Sequence, residues 1–215
     1  MNIRWSVIFV VSVLSAVLAG CEQENGAYYL KGTAPGSKNP VEKAVSKDPD
    51  DRAKAITTWS AQSWGLQGSY LEYYAIASKS DESAIVRSVA VRALGKAGDP
   101  KYLPALVDAL RDTSPVVRWD AAVALDNVIG PQAVDPLRKA ATTETNLDGR
   151  IAAIKALRHY RQENVVQTLI QCLAEGPFGI RYQAHLSLVE TTGKDMGMDA
   201  EKWKAATASP VAASR

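Results

Sequence analysis

Apolar residues recur along most of this chain at the spacing of an α-helix. From about residue 50 to about residue 190 they follow one another at intervals of three and four positions, which places them on one helical face. Polar segments containing Pro, Gly or Asp interrupt these runs, as at residues 112–115. The pattern predicts a series of amphipathic helices joined by short turns, and hence an all-α fold.

One frame of residues repeats five times. In each copy an Arg is followed by Ala at +3, a small residue at +6 and a large apolar residue at +7. The five arginines are Arg52, Arg87, Arg118, Arg150 and Arg181, which lie 35, 31, 32 and 31 residues apart. Helical spacing within a period of about 32 residues predicts an α-solenoid, in which each helix pair contacts only its neighbours.

Each repeat is predicted to be a pair of helices. The Arg frame forms the second helix, and a first helix with its own recurring apolar positions precedes it. Pro100, Pro115 and Pro131 stand where a helix starts or the chain turns, positions that tolerate a missing backbone N–H. The small residue at +3 allows two helices to cross closely, and the large residue at +7 fills the space beside the crossing.

The two clearest copies of the frame read Val86-Arg87-x-x-Ala90-x-x-Ala93-Leu94-Gly95 and Val117-Arg118-x-x-Ala121-x-x-Ala124-Leu125. This motif resembles short HEAT-like repeats, of the type also found in phycobilin lyases. The resemblance covers residues 45–203 and implies an α-solenoid of about five helix pairs. The first copy departs from it, with Trp59 in place of Leu and a longer insert at 60–70. We expect Trp203 to cover the core of the last pair.

The N-terminus predicts export and a lipid anchor. Residues 1–20 carry Arg4 and then an apolar run that is shorter than a membrane span, which fits a secretory signal peptide. The run ends in Leu18-Ala19-Gly20-Cys21, which resembles the lipobox of bacterial lipoproteins. That resemblance implies cleavage before Cys21 and its acylation with fatty acids such as palmitate, which anchors the chain in the bacterial cell envelope, facing the periplasm or the surface. The alternative is an ordinary signal peptide. Glu22 after the cysteine favours the outer membrane by the same resemblance.

Two further segments flank the repeat domain of residues 45–203. Residues 21–44 are predicted to be the lipidated N-terminus and a flexible tether, because they are rich in Gly, Pro and polar residues. Tyr28 and Tyr29 are unusual in a tether, and the alternative for them is a strand-like segment or packing on the first repeat. Residues 204–215 are predicted to be a flexible tail.

Charge and cysteine usage limit the function further. After removal of residues 1–20 the chain has 24 basic and 23 acidic residues, a net charge of +1. This balance gives no electrostatic basis for binding nucleic acid. Once Cys21 is lipidated, Cys172 has no partner for an intramolecular disulfide, and its place in an apolar helix predicts a buried thiol.

An acid precedes four of the five arginines by six residues. These pairs are Asp81 with Arg87, Asp112 with Arg118, Glu144 with Arg150, and Glu175 with Arg181. In the first copy Ser46 takes the place of the acid. The favoured interpretation is a structural ladder between layers, as the resemblance to HEAT-like repeats implies, because Arg at a helix start satisfies acids and helix-end carbonyls in the preceding turn. The alternative is a site for an anion or phosphate.

The sequence contains no constellation that indicates catalysis. The spacing shows no Ser-His-Asp arrangement, metal-binding cluster, phosphate loop or pair of catalytic carboxylates, so we expect no catalytic residue, metal or cofactor. His159 follows a helix end and His185 takes the +4 position of its copy, and we expect both to pack or to cap a helix.

One face of the second helices is more apolar than an exposed face should be. Positions +1 and +5 after the Arg point away from the core on a helical wheel. At these positions stand Trp119, Val123, Ile151, Tyr182 and Leu186, flanked by Arg92 and Lys155. Because the resemblance to HEAT repeats places second helices on the inner side, we expect an exposed patch in a concave groove. The alternative is burial of these residues between neighbouring second helices.

Two classes of function fit this sequence. The favoured hypothesis is a lipid-anchored, exported scaffold without catalytic activity that binds a protein or peptide through the groove. The alternative, implied by the resemblance to bilin lyases, is a lyase-like enzyme or an accessory subunit of a membrane or periplasmic enzyme.

Overall fold

The structure is a computed structural model, and it describes residues 21–24, 27–30 and 43–208. Two short strands, β1 (Cys21–Glu24) and β2 (Ala27–Leu30), pair antiparallel with Cys21 opposite Leu30. The strand-like alternative for Tyr28 and Tyr29 therefore fits the structure within the segment predicted as a tether. The predicted signal peptide, the remainder of the tether and residues 209–215 lie outside the described residues.

The rest of the described chain is helical. Ten α-helices lie between residues 49 and 208: α1 (Pro49–Ser60), α2 (Ser69–Ser80), α3 (Ala84–Ala97), α4 (Leu103–Ala109), α5 (Pro115–Leu125), α6 (Val134–Thr143), α7 (Leu147–Ala156), α8 (Glu163–Glu175), α9 (Phe178–Thr192) and α10 (Ala200–Ala208). Short 3-10 helices occur at Ser63–Leu66, Pro100–Tyr102, Pro131–Ala133 and Leu157–His159. The prediction of an all-α repeat fold is confirmed.

The helices form two layers. The helices of the Arg frame, α1, α3, α5, α7 and α9, stack directly on one another, and α2, α4, α6, α8 and α10 form the second layer. Within each pair the first helix packs against the second, as α2 does against α3. The second helices contact each other more closely than the first helices do, so we assign them to the inner, concave side of the stack.

Small residues allow this close stacking. The alanines at +3, including Ala90 and Ala121, are fully buried, and so are the leucines at +7, such as Leu125. A Cβ atom at Gly95 of α3 would lie 2.5 Å from the Cβ of Ala124 on α5, closer than two carbon atoms can approach. The contact between α3 and α5 therefore requires glycine at this position.

Aromatic residues close both ends of the stack. Trp59 replaces the usual Leu at +7 and packs edge-on against Tyr70 and Tyr73, with ring centroids 5.4 and 5.7 Å away. At the other end Trp203 of α10 is 1% exposed, and its Nε1 donates a hydrogen bond to the carbonyl of Gly197 at 2.8 Å. Trp203 thus covers the core of the last pair. Helix α10 continues to Ala208, so the segment predicted as a tail from residue 204 begins as helix.

Helix length bears on the relation to a membrane. In the part of the chain that the structure describes, every helix is too short or too polar to cross a bilayer.

Candidate interaction surface

Exposed apolar side chains are concentrated on one layer of the solenoid. Eight of the ten large apolar residues that are exposed among the described residues belong to α3, α5, α7 and α9, and none belongs to the outer layer. We call these eight the inner apolar face: Ile85, Val116, Trp119, Val123, Leu147, Phe178, Tyr182 and Leu186. Exposed apolar side chains that are concentrated on one helical layer are typical of an interaction surface.

The predicted patch covers only part of this face. Positions +1 and +5 identify four of the eight residues. The other four stand at −2 or −3, in the first turn of their helices, which a wheel of about 100° per residue places on the same side. Including the positions before the Arg in the helical wheel would have predicted these four residues. Phe178 is the most exposed at 74%, and its ring stacks on Tyr182 with centroids 6.0 Å apart.

The predicted patch residues differ in exposure. Trp119 and Tyr182 are 41% and 50% exposed, and Val123 and Leu186 are also exposed. Ile151 is half-buried against the core, so the alternative of packing between helices applies to this residue. The +1 residues of the first two copies, Ala53 and Ser88, are buried as well.

Arg92, on the predicted flank of the patch, lies beside a buried acid that the sequence analysis missed. Its Nε is 3.7 Å from Oδ2 of Asp120, which also accepts a hydrogen bond from the Ser88 hydroxyl. Burial raises the pKa of the Asp120 carboxyl, although both partners act in the opposite direction. The Arg92 side chain itself remains more than half exposed and supplies positive charge beside Asp120.

Lys155, on the other flank, belongs to a cluster around Asp126. The Asp126 carboxylate lies 3.1 Å from Lys155, 3.1 Å from Arg158 and 2.8 Å from Nε2 of His159. Burial acts to raise the pKa of Asp126, but hydrogen bonds from His159 and Lys155 and the charge of Arg158 lower it overall. This cluster fixes the end of α5 to α7 and its following turn.

The histidines and the cysteine have structural surroundings. Nε2 of His185 lies 2.8 Å from Asp195, in the turn that closes α9. Burial raises the pKa of the Cys172 thiol to about 11, which keeps it protonated at neutral pH. No group of His, Cys, Asp and Glu side chains in the described part of the chain is arranged to hold a metal ion.

An Arg–acid ladder runs along the turns between first and second helices. Nε and Nη2 of Arg52 bind both carboxylate oxygens of Asp81 at 2.8 Å. Arg87 binds Asp112 in the same way at 2.7 and 2.8 Å, and Arg118 binds Glu144 through two hydrogen bonds, that from Nη2 being 2.9 Å long. Each pair joins one repeat to the next.

The ladder differs in register from the predicted pairs. The acid six residues before an Arg offers that Arg its backbone carbonyl: Nη1 of Arg118 donates to the carbonyl of Asp112 at 2.9 Å. The Asp112 carboxylate binds Arg87 of the preceding repeat instead. The contact within a repeat uses only a backbone carbonyl, so Ser46 can accept the hydrogen bond from Arg52 as well as an acid can. Arg52 is therefore the first Arg of the ladder, although no acid stands six residues before it.

The last two predicted pairs, Glu144 with Arg150 and Glu175 with Arg181, do not form, and the turn after α8 shows why the Glu175 carboxylate binds no Arg. Asp81, Asp112 and Glu144 each accept a hydrogen bond from the amide two residues later, at 2.8 to 2.9 Å. Two residues after Glu175 stands Pro177, which has no amide hydrogen. Glu175 is the last residue of α8, is exposed and binds Gln171 at 3.2 Å. The sequence Glu-Gly-Pro was the signal that this turn differs.

Arg150 and Arg181 therefore lack carboxylate partners among the described residues. Nε of Arg150 donates to the carbonyl of Ala141 at 3.2 Å. Nε of Arg181 is buried and has no hydrogen-bond partner in the described part of the chain. The ladder thus has three closed rungs, in which an Arg binds a carboxylate of the next repeat. It has two open rungs, in which the Arg has no such partner among the described residues.

The hydrogen bonds of the closed rungs lower the pKa of the acids that accept them. Hydrogen bonds from Arg118 lower the pKa of the Glu144 carboxyl to about 2. Burial acts to raise the pKa of Asp112, but hydrogen bonds from Arg87 and the Ser114 amide lower it overall. Both acids are charged at neutral pH and act as structural ties.

A cavity of about 530 Å³ opens beside the third rung, between the end of α4 and α6. Its lining mixes Arg111, Arg118 and Lys139 with Asp112, Asp135 and Glu144. The balanced signs give no preference for an anion. This cavity therefore supports the structural interpretation of Arg118 rather than a phosphate site.

The paired helices, two-layer stack and Arg–acid ladder define the chain as an α-solenoid built from HEAT-like repeats. The family described as HEAT repeats matches residues 74–158. Comparison with curated proteins found no match.

Solved structures with the same fold share little sequence with this chain. The complex of CpcE and CpcF of phycocyanin lyase from Nostoc sp. PCC7120 is 19% identical with a TM-score of 0.62, covering 80% of this chain and 71% of that chain. YibA of Escherichia coli is 20% identical with a TM-score of 0.59, covering 69% of this chain and 57% of that chain. An engineered protein is 17% identical with a TM-score of 0.55, covering 78% of this chain and 83% of that chain. At these identities the similarity establishes the fold alone.

Proposed function

We propose that this chain is a lipid-anchored, exported HEAT-repeat scaffold that binds a protein or peptide partner on its inner apolar face. The observation that carries the proposal is that eight of the ten exposed large apolar residues in the described part of the chain lie on helices of the inner layer. Apolar side chains distributed at random would occur on both layers, whereas a binding surface concentrates them on one.

The surroundings of this face favour a protein over other partners. Trp119 and Tyr182 are residue types that contribute strongly to protein interfaces, and Arg92 supplies charge at the rim. Helices that are fixed by the core and the ladder present these side chains with little loss of entropy on binding. In addition, one of the similar structures is itself a complex of two proteins, CpcE and CpcF.

Mutations on the face test this proposal. The partner is first captured from membranes with the lipidated chain and identified, and its affinity is then measured for Trp119→Ala, Tyr182→Ala and the control Ile129→Ala. We expect each of the first two changes to weaken binding by about 30-fold, as for residues at the centre of an interface. Ile129 is equally exposed but lies off the face, so its replacement should leave the affinity unchanged.

Stability measurements separate binding from packing. Trp119→Ala should lower the free energy of unfolding by about 1 kcal/mol, because 41% of this residue is exposed. Leu125→Ala, in the core, should cost about 2–5 kcal/mol. Equal losses for the two variants, or equal affinities of Trp119→Ala and Ile129→Ala for the partner, would contradict the proposal.

The anchor is tested by Cys21→Ser. If Cys21 is acylated, the variant protein should leave the membrane fraction or accumulate as an uncleaved precursor, because serine has no thiol to acylate. Fractionation and mass spectrometry of the N-terminus measure both outcomes. Cys172→Ser is the matched control and should remain at the membrane. A Cys21→Ser protein that is cleaved and still partitions with membranes would rule out the lipoprotein assignment.

A lyase-like enzyme or an accessory enzyme subunit is the second candidate. The observation that favours it is the shared fold with the phycocyanin lyase complex. Because one fold hosts many functions, this candidate rests on analogy. A captured partner that is an enzyme whose activity depends on this chain would support the accessory role.

A further inference from the structure

A row of four exposed side chains crosses the inner layer, one from each of α3, α5, α7 and α9. Each is the residue at +5 of its copy, one helical turn after the +1 residue, so the row lies on the same side of the helices as the +1 positions. These four helices stack on one another in chain order. Along the stack the row alternates between a cation and an apolar side chain: Arg92, Val123, Lys155 and Leu186.

The charge of Arg92 lies at the surface, whereas that of its acid is buried. The Arg92 side chain is 58% exposed, and Asp120 is almost fully buried. Nε of Arg92 is 3.7 Å from Oδ2 of Asp120, which is longer than a hydrogen bond. The Ser88 hydroxyl already donates to this carboxylate. The guanidinium group therefore keeps donors for a second acceptor on its exposed side.

The charge of Lys155 shares its acid with two other groups. The largely buried Asp126 carboxylate accepts two hydrogen bonds of 3.1 Å from Arg158 and lies 2.8 Å from Nε2 of His159. Nζ of Lys155 is 3.1 Å from the same carboxylate, and this side chain is 49% exposed. Glu190, the other acid of the cluster, binds Arg158 at 3.4 Å. An ammonium group has three donors, so Lys155 can bind a further carboxylate from the solvent side.

The two cations set a distance that a ligand must span. Helices in contact lie about 8–10 Å apart, so α3 and α7, with α5 between them, are about 16–20 Å apart. An extended peptide rises about 3.3 Å per residue, so it covers this distance in about five or six residues. Asp148 is exposed in the first turn of α7, two turns before Lys155. It would repel a carboxylate at that end of the helix, which leaves the +5 row as the place for acids.

We propose that the partner of the inner apolar face is an acidic segment that crosses the stack along this row. One of its carboxylates binds Arg92, a second binds Lys155, and an apolar side chain between them packs on Val123. Complementary charge excludes basic segments with the same apolar residues and fixes the register of the acidic one. This inference rests on the proposed function, because it names the chemistry of the segment that the inner apolar face binds.

Selection of peptides tests the inference. The purified full chain is immobilised and screened with a phage library of random peptides of about 12 residues, which are longer than the distance between the two cations when extended. The same selection is run on the double variant Arg92→Gln, Lys155→Gln and on Trp119→Ala. The matched control is Arg111→Gln, Lys139→Gln, which removes two exposed cations away from the row.

The selected sequences should differ between these proteins. We expect the wild type and the control to select peptides with two acids about five or six residues apart and an apolar residue between them. The double variant Arg92→Gln, Lys155→Gln should keep the apolar preference and lose the acids. Trp119→Ala should lose the peptides altogether, because it removes the largest exposed side chain next to the row.

A synthetic copy of the best peptide gives the size of the effect. Replacing either acid by its amide should weaken binding to the wild type about fivefold, because both cations remain partly in water. The same replacement should change nothing on the double variant. Raising the salt concentration from about 0.1 M to about 0.5 M should likewise weaken the wild-type complex more than that of the double variant.

Loss of binding must not reflect loss of folding. In the double variant Asp120 retains the hydrogen bond from Ser88, and Asp126 retains those from Arg158. We therefore expect it to melt within a few degrees of the wild type, measured by circular dichroism. The amide replacements in the peptide test the inference on the wild type alone, independently of the stability of any variant.

The outcomes distinguish the inference from the proposed function. Apolar peptides without acids that are lost on Trp119→Ala would support the face and overturn the role of the two cations. Acids that persist in peptides selected on the double variant would overturn that role as well. If Trp119→Ala selects the same peptides as the wild type, or if no peptide is enriched, the proposed binding face fails together with the inference.

Discussion

Trp203→Ala is expected to lower the free energy of unfolding by about 3–5 kcal/mol, as for a core Trp in other proteins. The side chain is 1% exposed, and it covers the end of the last helix pair from α10. In a solenoid the terminal element shields a core that would otherwise contact water. The loss should appear as a lower midpoint in urea denaturation followed by circular dichroism.

Trp119→Ala is the matched control, because it removes the same side chain from an exposed position. It should cost much less than Trp203→Ala. Hydrogen exchange adds a second test: in Trp203→Ala the amides of α8 and α9 should exchange faster, while those of α3 should not, since each repeat contacts only its neighbours. Equal effects of the two Trp replacements would contradict the capping role of α10.

The fold could be predicted because it depends on short-range periodicity. The spacing of Ala and Leu after each Arg identifies the second helices, and the chain needs only to stack successive pairs. Even the exceptional Trp59 and the insert at 60–70 were readable, because a terminal repeat lacks a neighbour and must shield itself. The structure accounts for the insert as a 3-10 helix whose Gly65 carbonyl accepts a hydrogen bond from the Tyr74 hydroxyl at 2.9 Å.

The ladder was only half predictable from spacing. A separation of six residues correctly links Asp81 to Arg87 and Asp112 to Arg118, but it does not say whether the backbone or the side chain of the acid makes the contact. That choice depends on the distance between layers, which is a property of packing. The missing rung at Glu175 was readable in principle, because Pro177 removes the amide that holds the carboxylate in the other turns.

Exposure on the inner layer could not be predicted residue by residue. Helical position gives the direction of a side chain, while exposure also depends on the curvature between neighbouring helices. Ser88 and Trp119 occupy the same position in consecutive copies, yet Ser88 is buried against Asp120 and Trp119 is exposed. A small polar residue is covered by the next helix, whereas a large one reaches past it.

Arg118→Ala is expected to lower the free energy of unfolding by about 3 kcal/mol at neutral pH, because it leaves the Glu144 carboxylate buried without its partner. Asp112 retains its hydrogen bonds from Arg87 in this variant, so its carboxylate is not left unpaired. Arg111→Ala removes the same charge from an exposed neighbour and should be nearly neutral. Thermal shifts of equal size for the two variants would show that the rung contributes nothing.

The pH dependence of this loss identifies its cause. The pKa of Glu144 is about 2 in the folded protein, below its usual value of 4.5, so the rung stabilises the fold above about pH 4.5 and loses its effect as the pH falls towards 2. The gap in stability between wild type and Arg118→Ala should therefore be constant from pH 7 to pH 5 and should narrow below that. Glu144→Gln should show the same narrowing, and the double variant should lose less than the sum of the two single changes, since they remove one interaction. A gap that stays constant down to pH 3 would assign the loss to packing of the Arg118 side chain rather than to its charge.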